Sequence, residues 1–213
     1  MYISTVNAYF RLLACLLLFQ VTSPPRARRE FHWDWHQTQS VFSAPSLKDA
    51  KIAASERATL ASAIKDQIGP PDPHDPEMAS EVQVEQAVLN ASIKMISLSQ
   101  DAKEPPAVVA QVQHFCSPTG NCSLWFFRRT SHGYRLLLDA TGQSFTVQKT
   151  AANGLRDLVV DMHSSATDQW LKVYRYQGGR YGLVGCYDAD WAPLENGVVH
   201  QLREPRITLS PCG

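Results

Sequence analysis

One stretch of this chain occurs twice, and it limits the fold more than any other feature. Residues 124–137, LWFFRRTSHGYRLL, lie over residues 171–184, LKVYRYQGGRYGLV, without a gap. Phe127 meets Tyr174 and Arg128 meets Arg175 at a constant offset of 47 residues. In each copy an aromatic-rich run ends at arginine, turns through glycine and returns through tyrosine and aliphatics. Two apolar runs joined by a glycine turn describe a β-hairpin, and its recurrence at fixed spacing describes a repeat.

The likeness continues upstream, where AVVAQ at 107–111 precedes the first hairpin much as DLVVD at 157–161 precedes the second. Short apolar runs separated by turn residues fall at 107–112, 122–129, 134–139, 144–147, 158–163, 170–176 and 181–187, with 207–209 as a final edge strand. They group into two four-stranded units, about 93–139 and about 144–187. Two units are too few for a propeller. Each has an apolar face that it cannot bury alone, so the two are predicted to pack face to face or to merge into one curved sheet.

Upstream, Leu60, Ile64 and Ile68 recur at helical steps and GPPDP at 69–73 stops the helix. Residues 77–98 read as strand-like, although 86–89 fits a helical turn equally well. The predicted class is α+β, mainly β: a short N-terminal helix followed by a duplicated four-stranded antiparallel meander of about eight strands. It forms a single domain over 47–213.

Arg11 precedes an apolar run at 12–19, closed by polar residues and Pro24-Pro25. That length fits a signal peptide over 1–25 better than a membrane span, with an uncleaved anchor or lipidation at Cys15 as the alternatives. No stable span is expected after cleavage. Residues 26–46 read as a flexible tether that docks one or two of its tryptophan rings. Its His32, Asp34 and His36 could also be read as metal ligands. Removing Cys15 with the leader leaves four cysteines. Cys116 and Cys122 flank a turn, SPTGN, and are expected to pair, which leaves Cys186 for Cys212. Disulfides place the chain outside the cytoplasm, in the periplasm or secreted. With 44% hydrophobic residues a real core is expected, and a net charge of +0 supplies no positive excess for nucleic acid.

Two constellations could carry function. Asp161, His163 and Ser165 alternate, so a strand would show all three on one face. An acid orienting a histidine that activates a serine is hydrolase logic, but same-face residues on a strand stand about 7 Å apart and no nucleophile elbow accompanies them. The second constellation is aromatic and basic: Trp125, Trp170 and Trp191, with Arg128 and Arg175 at the rim, form the candidate ligand surface.

The run GLRDLVV at 154–160, followed by HSSAT at 163–167 and LKVYRY at 171–176, resembles the FG-GAP/VCBS-like repeats of secreted bacterial proteins. The resemblance covers about residues 90–191. It implies an extracytoplasmic β-rich module and carries no reaction with it. Where that repeat class holds calcium, the loops here keep only Asp101 in one copy and Asn153, Gly154 and Asp157 in the other. Calcium takes about 6–8 oxygen ligands, so neither calcium nor any other cofactor is expected. The chain is thus expected to be an exported non-enzymatic binding module whose partner is a protein or glycan of the cell envelope. The alternatives are an envelope hydrolase or accessory domain using the Asp161 face, and an inhibitor of a cell-wall-degrading enzyme.

Overall fold

Both hairpins form. In the computed structural model, which describes residues 31–212, β4 (Cys122–Thr130) turns at Gly133 into β5 (Gly133–Gly142), and β8 (Asp168–Gln177) turns through Gly178 and Gly179 into β9 (Arg180–Asp190). All three turn glycines have positive φ, a region other residues enter only with strain. β4 and β5 join β2 (Ser92–Ile96) and β3 (Ala107–Gln111) in a four-stranded antiparallel sheet ordered β2-β3-β4-β5. β6 (Ser144–Ala152), β7 (Leu155–His163), β8 and β9 form a second meander. It is widened at its edges by β1 (Thr38–Gln39) beside β6 and β12 (Arg206–Ser210) beside β9. A small separate hairpin, β10 (Leu194–Glu195) and β11 (Val198–Val199), lies between β9 and β12 in sequence.

The two hairpins share a detail of geometry. The register of β4 against β5 shifts between Phe126 and Phe127, and that of β8 against β9 shifts between Val173 and Tyr174. These are corresponding positions at the 47-residue offset. A bulge of this kind adds a residue to one strand and sharpens its twist.

Three layers result. Helix α1 (Ala54–Ile68) and helix α2 (Glu81–Asn90) cover one face of the four-stranded sheet, burying Leu60, Ile64 and Val88 against Val108, Trp125 and Phe127. The other face packs on the six-stranded sheet through Phe126, Leu137, Phe145, Leu158, Val160 and Tyr174. Phe126 and Phe145 meet edge to face across this seam, with ring centroids 5.2 Å apart.

The predicted class holds at the level of a mainly β chain with antiparallel sheets, and two finer expectations need correction. The sheets are not two equal meanders, because β1 and β12 enlarge the second to six strands. The two sheets do pack face to face, but through opposite sides of the repeated hairpin. Phe127 points to the helices while its counterpart Tyr174 points to the other sheet, so the two hairpins lie the same way up. The helix is also neither single nor N-terminal. Residues 81–90, expected to be strand-like, form α2 because Ser80 caps them through Gln83 and Val84 and Val88 bury one side at a four-residue step.

The segment 33–46 lies against the sheets and docks a tryptophan ring, as the tether reading expects. Trp33 is 4% exposed and donates its indole N–H to Thr146 Oγ1 at 3.0 Å, and Val41 is fully buried in the inter-sheet core. The signal peptide expected at 1–25, like residues 26–30, lies outside the described residues. No helix among the described residues is long and apolar enough to cross a membrane. The cysteines pair as expected, Cys116 with Cys122 and Cys186 with Cys212. The second bridge joins β9 to the tail beyond β12.

Candidate functional site

Side chains alternate along a strand, so β8 shows one set of residues to each side of its sheet. At its N-terminal end the two sides differ in kind. Gln169 faces the outer side, away from the four-stranded sheet, together with Asp161 and Ser144. Trp170 faces the inner side, the side on which Val160 enters the core.

The outer side is sealed. Asp161 is 1% exposed; Ser144 donates its hydroxyl to Oδ1 and Gln169 Nε2 donates to Oδ2 at 3.4 Å. Burial raises the carboxyl above its usual range, while the hydroxyl of Ser144, a backbone N–H and nearby His163 pull it back down. Gln169 Oε1 in turn accepts the indole N–H of Trp191 at 3.0 Å. Trp191 packs edge to face with Trp33 and Trp35, at centroid distances of 6.5 and 5.2 Å. Asn121 ties the Cys116–Cys122 loop to this end of the sheet: its Oδ1 accepts the backbone N–H of His163 at 2.8 Å and its Nδ2 donates to the His163 carbonyl at 3.0 Å. These groups satisfy one another.

The inner side is open. Met162, Trp170, Asp188 and Thr208 are cross-strand neighbours on β7, β8, β9 and β12. Trp170 is 52% exposed, and its indole has no hydrogen bond or ring partner among the described residues. Lys172, two residues along β8, shares its face. The row therefore offers a flat aromatic surface with a carboxylate and a hydroxyl on neighbouring strands and an ammonium group beside it.

The five residues expected at the ligand surface are not brought together. Trp125 is 3% exposed and packs against Phe115 in the helix-side core, so it is corrected from surface to interior. Trp191 is half-buried in the tryptophan cluster. Arg128 donates from Nη2 to both oxygens of Glu104 at 2.8 Å. Arg175 grips Asp157, a carboxylate only 2% exposed, through Nε and Nη2. Trp170 alone faces solvent with nothing to hold. Asp188 and Thr208 were not singled out from sequence, because only the register of β8 to β9 to β12 places them beside Trp170.

The serine–histidine relay is not assembled. Ser165 gives its hydroxyl to Asp168 and accepts the backbone N–H groups of Thr167 and Asp168 in the β7–β8 turn. Among the described residues no three histidine, cysteine or carboxylate side chains stand close enough to hold a metal ion. His36 stacks on Trp35 with centroids 3.6 Å apart, and Asp34 lies 3.6 Å from Lys149. In the loops compared with calcium sites, Asp101 caps its own turn through Lys103 N–H, and Asp157 is taken by Arg175. No protein-family model, curated protein or solved structure matches the chain.

Proposed function

We propose that this protein is an exported, non-enzymatic binding module of the periplasm or the cell exterior, and that it holds an envelope glycan across Trp170. The observation that carries the reading is the contrast among its five tryptophans. Four are packed or half-packed against partners, while Trp170 stands half out of water in a polar row. An exposed indole of that size on a regular strand offers the C–H face of a sugar ring a stacking surface. Asp188, Thr208 and Lys172 supply acceptors and donors for its hydroxyls at the rim.

A protein partner fits the row less well. Protein hot spots sit in well-packed pockets that exclude water, and Met162 is the one apolar side chain beside Trp170 in this row. Export is supported by the leader-like run at 12–19 and by the two disulfides, which are compatible with an oxidising compartment. Kinship with the FG-GAP/VCBS-like repeats is part of the proposal. Its support is the pair of bulges at corresponding positions of the two hairpins.

The test is retention of the purified protein on insoluble envelope polysaccharide. Trp170→Ala is expected to lose about tenfold in affinity, about 1.4 kcal/mol, with its melting temperature unchanged. Equal retention of the variant would remove Trp170 from the site. Retention by envelope protein but not by glycan would replace the ligand class and keep the site.

A further inference from the structure

β12 leaves one edge of the six-stranded sheet unpaired among the described residues. Backbone groups in an antiparallel ladder turn alternately to the two neighbouring strands. Trp191 gives its N–H to the carbonyl of Thr167 at 3.0 Å, which extends the β8–β9 ladder by one pair. Counting back by alternation, Ala189 and Tyr187 turn to β8, and Asp190, Asp188 and Cys186 turn to β12. Their register partners Arg206, Thr208 and Ser210 are thereby satisfied. Ile207 and Leu209 are left with their N–H and C=O groups pointing out of the sheet, and no strand lies beyond β12 among the described residues.

This edge is also greasy. Leu209 is 60% exposed, and the neighbouring β10–β11 hairpin exposes Leu194, Val198 and Val199 at 69%, 56% and 63%. Four of the ten exposed large hydrophobic side chains of the described chain thus fall within residues 194–209. Such a concentration on an unpaired strand is the usual mark of an interaction edge.

We infer that the occupant is a second copy of this chain, joined by antiparallel β12–β12 pairing about a two-fold axis through Thr208. In that register Ile207 lies opposite Leu209 of the second copy and Leu209 opposite its Ile207. The four outward N–H groups and carbonyls on each side then form two reciprocal pairs. Thr208 faces its own counterpart, and threonine pairs are favourable across strands. The neighbouring registers pair less completely, leaving one outward carbonyl on each copy without a donor. Sliding by one pair in either direction sets Pro205 or Pro211 opposite an outward-facing residue, and proline has no N–H to give. Charge does not oppose the approach, because Arg206 is already paired with Glu195 of its own hairpin.

Two six-stranded sheets would become one of twelve strands, with the two Trp170 residues five strand spacings apart, about 24 Å at about 4.8 Å each. The dimer inference itself does not depend on what Trp170 binds. A five-residue edge buries less than the roughly 1,200 Å² of a stable standard interface, so the dimer is weak and concentration-dependent.

Light scattering or sedimentation of the full chain, with both disulfides formed, tests this from micromolar to millimolar concentration. The mass is expected to climb from monomer to dimer. Leu209→Lys, which sets a charge in the contact and leaves the β9–β12 bonds alone, is expected to stay monomeric with an unchanged melting temperature. Thr208→Cys is expected to yield a cross-linked dimer under air, its thiols giving two electrons and two protons to dioxygen. Facing non-bonded residues in an antiparallel pair stand about 4.5 Å apart at Cα, which a disulfide spans. Ile207→Cys, facing Leu209, is expected to cross-link little. A monomer at millimolar concentration overturns the inference. So does a dimer that Leu209→Lys leaves intact, or cross-linking at residue 207 but not at 208.

Discussion

The β4–β5 and β8–β9 hairpins are matched in spacing, in the place of their bulge and in the arginine that follows it, yet they occupy different layers. The first lies in the middle layer, with helices on one face and a sheet on the other. Leu136 and Leu137 of β5 are therefore covered, and Leu137 is fully buried. Their counterparts Leu183 and Val184 are 43% and 46% exposed. The same local sequence grammar thus gives one hairpin whose job is packing and another with surface to spare. The open row around Trp170 belongs to the second.

Substitutions at corresponding positions should expose that difference. Leu137→Ala is expected to cost about 2–5 kcal/mol through the cavity it leaves, and Val184→Ala to stay within about 0.5 kcal/mol, both read by denaturant unfolding. Equal effects would mean that the outer face of β9 is as covered as the core.

The disulfides follow. Replacing Cys186 and Cys212 by serine opens a loop closed over 26 residues, worth about 3.5 kcal/mol by chain entropy, whereas the six-residue separation of Cys116 and Cys122 is worth about 2 kcal/mol. Chemical melts of the two double variants would give the order.

The paired arginines invert the pattern. Arg175→Ala strands the nearly buried Asp157 and is expected to cost about 3 kcal/mol. Arg128→Ala frees Glu104, whose side chain is 35% exposed, and is expected to cost less than about 1 kcal/mol. A larger loss at Arg128 would contradict the geometry.

The smallest effect is in pH. His114, beneath the helix layer, holds Glu77 through Nδ1 at 2.9 Å and Asp75 through Nε2 at 2.6 Å. The bond to Glu77, then that to Asp75, raises its pKa above the ordinary histidine value, partly offset by burial. A raised histidine stabilises the fold fully below its unfolded pKa of about 6.5, and that contribution is lost as pH rises through the folded value. His114→Gln should flatten stability against pH across that window.

What could be read in the sequence was what is local. The hairpins followed from Gly133, Gly178 and Gly179 between apolar runs, and the Cys116–Cys122 bridge from a five-residue turn. What escaped reading depends on which layer covers which face. Trp125 and Trp170 both look like hairpin aromatics, yet α1 and α2 cover the face of the first, while the second is left 52% exposed. α2 was hidden because its buried side consists of only Val84 and Val88. In residues 33–46 the docked ring was legible, whereas the burial of Val41 in a polar stretch was not.

Whether Trp170 is the indole that meets the ligand can be read from the five indole N–H resonances of the labelled protein, assigned by single Trp→Phe substitutions. On titration with soluble envelope glycan, the Trp170 signal is expected to move with saturation while the buried Trp33 and Trp125 signals stay in place. A saturating shift at Trp191 or Trp35 with Trp170 unmoved would contradict the Trp170 reading.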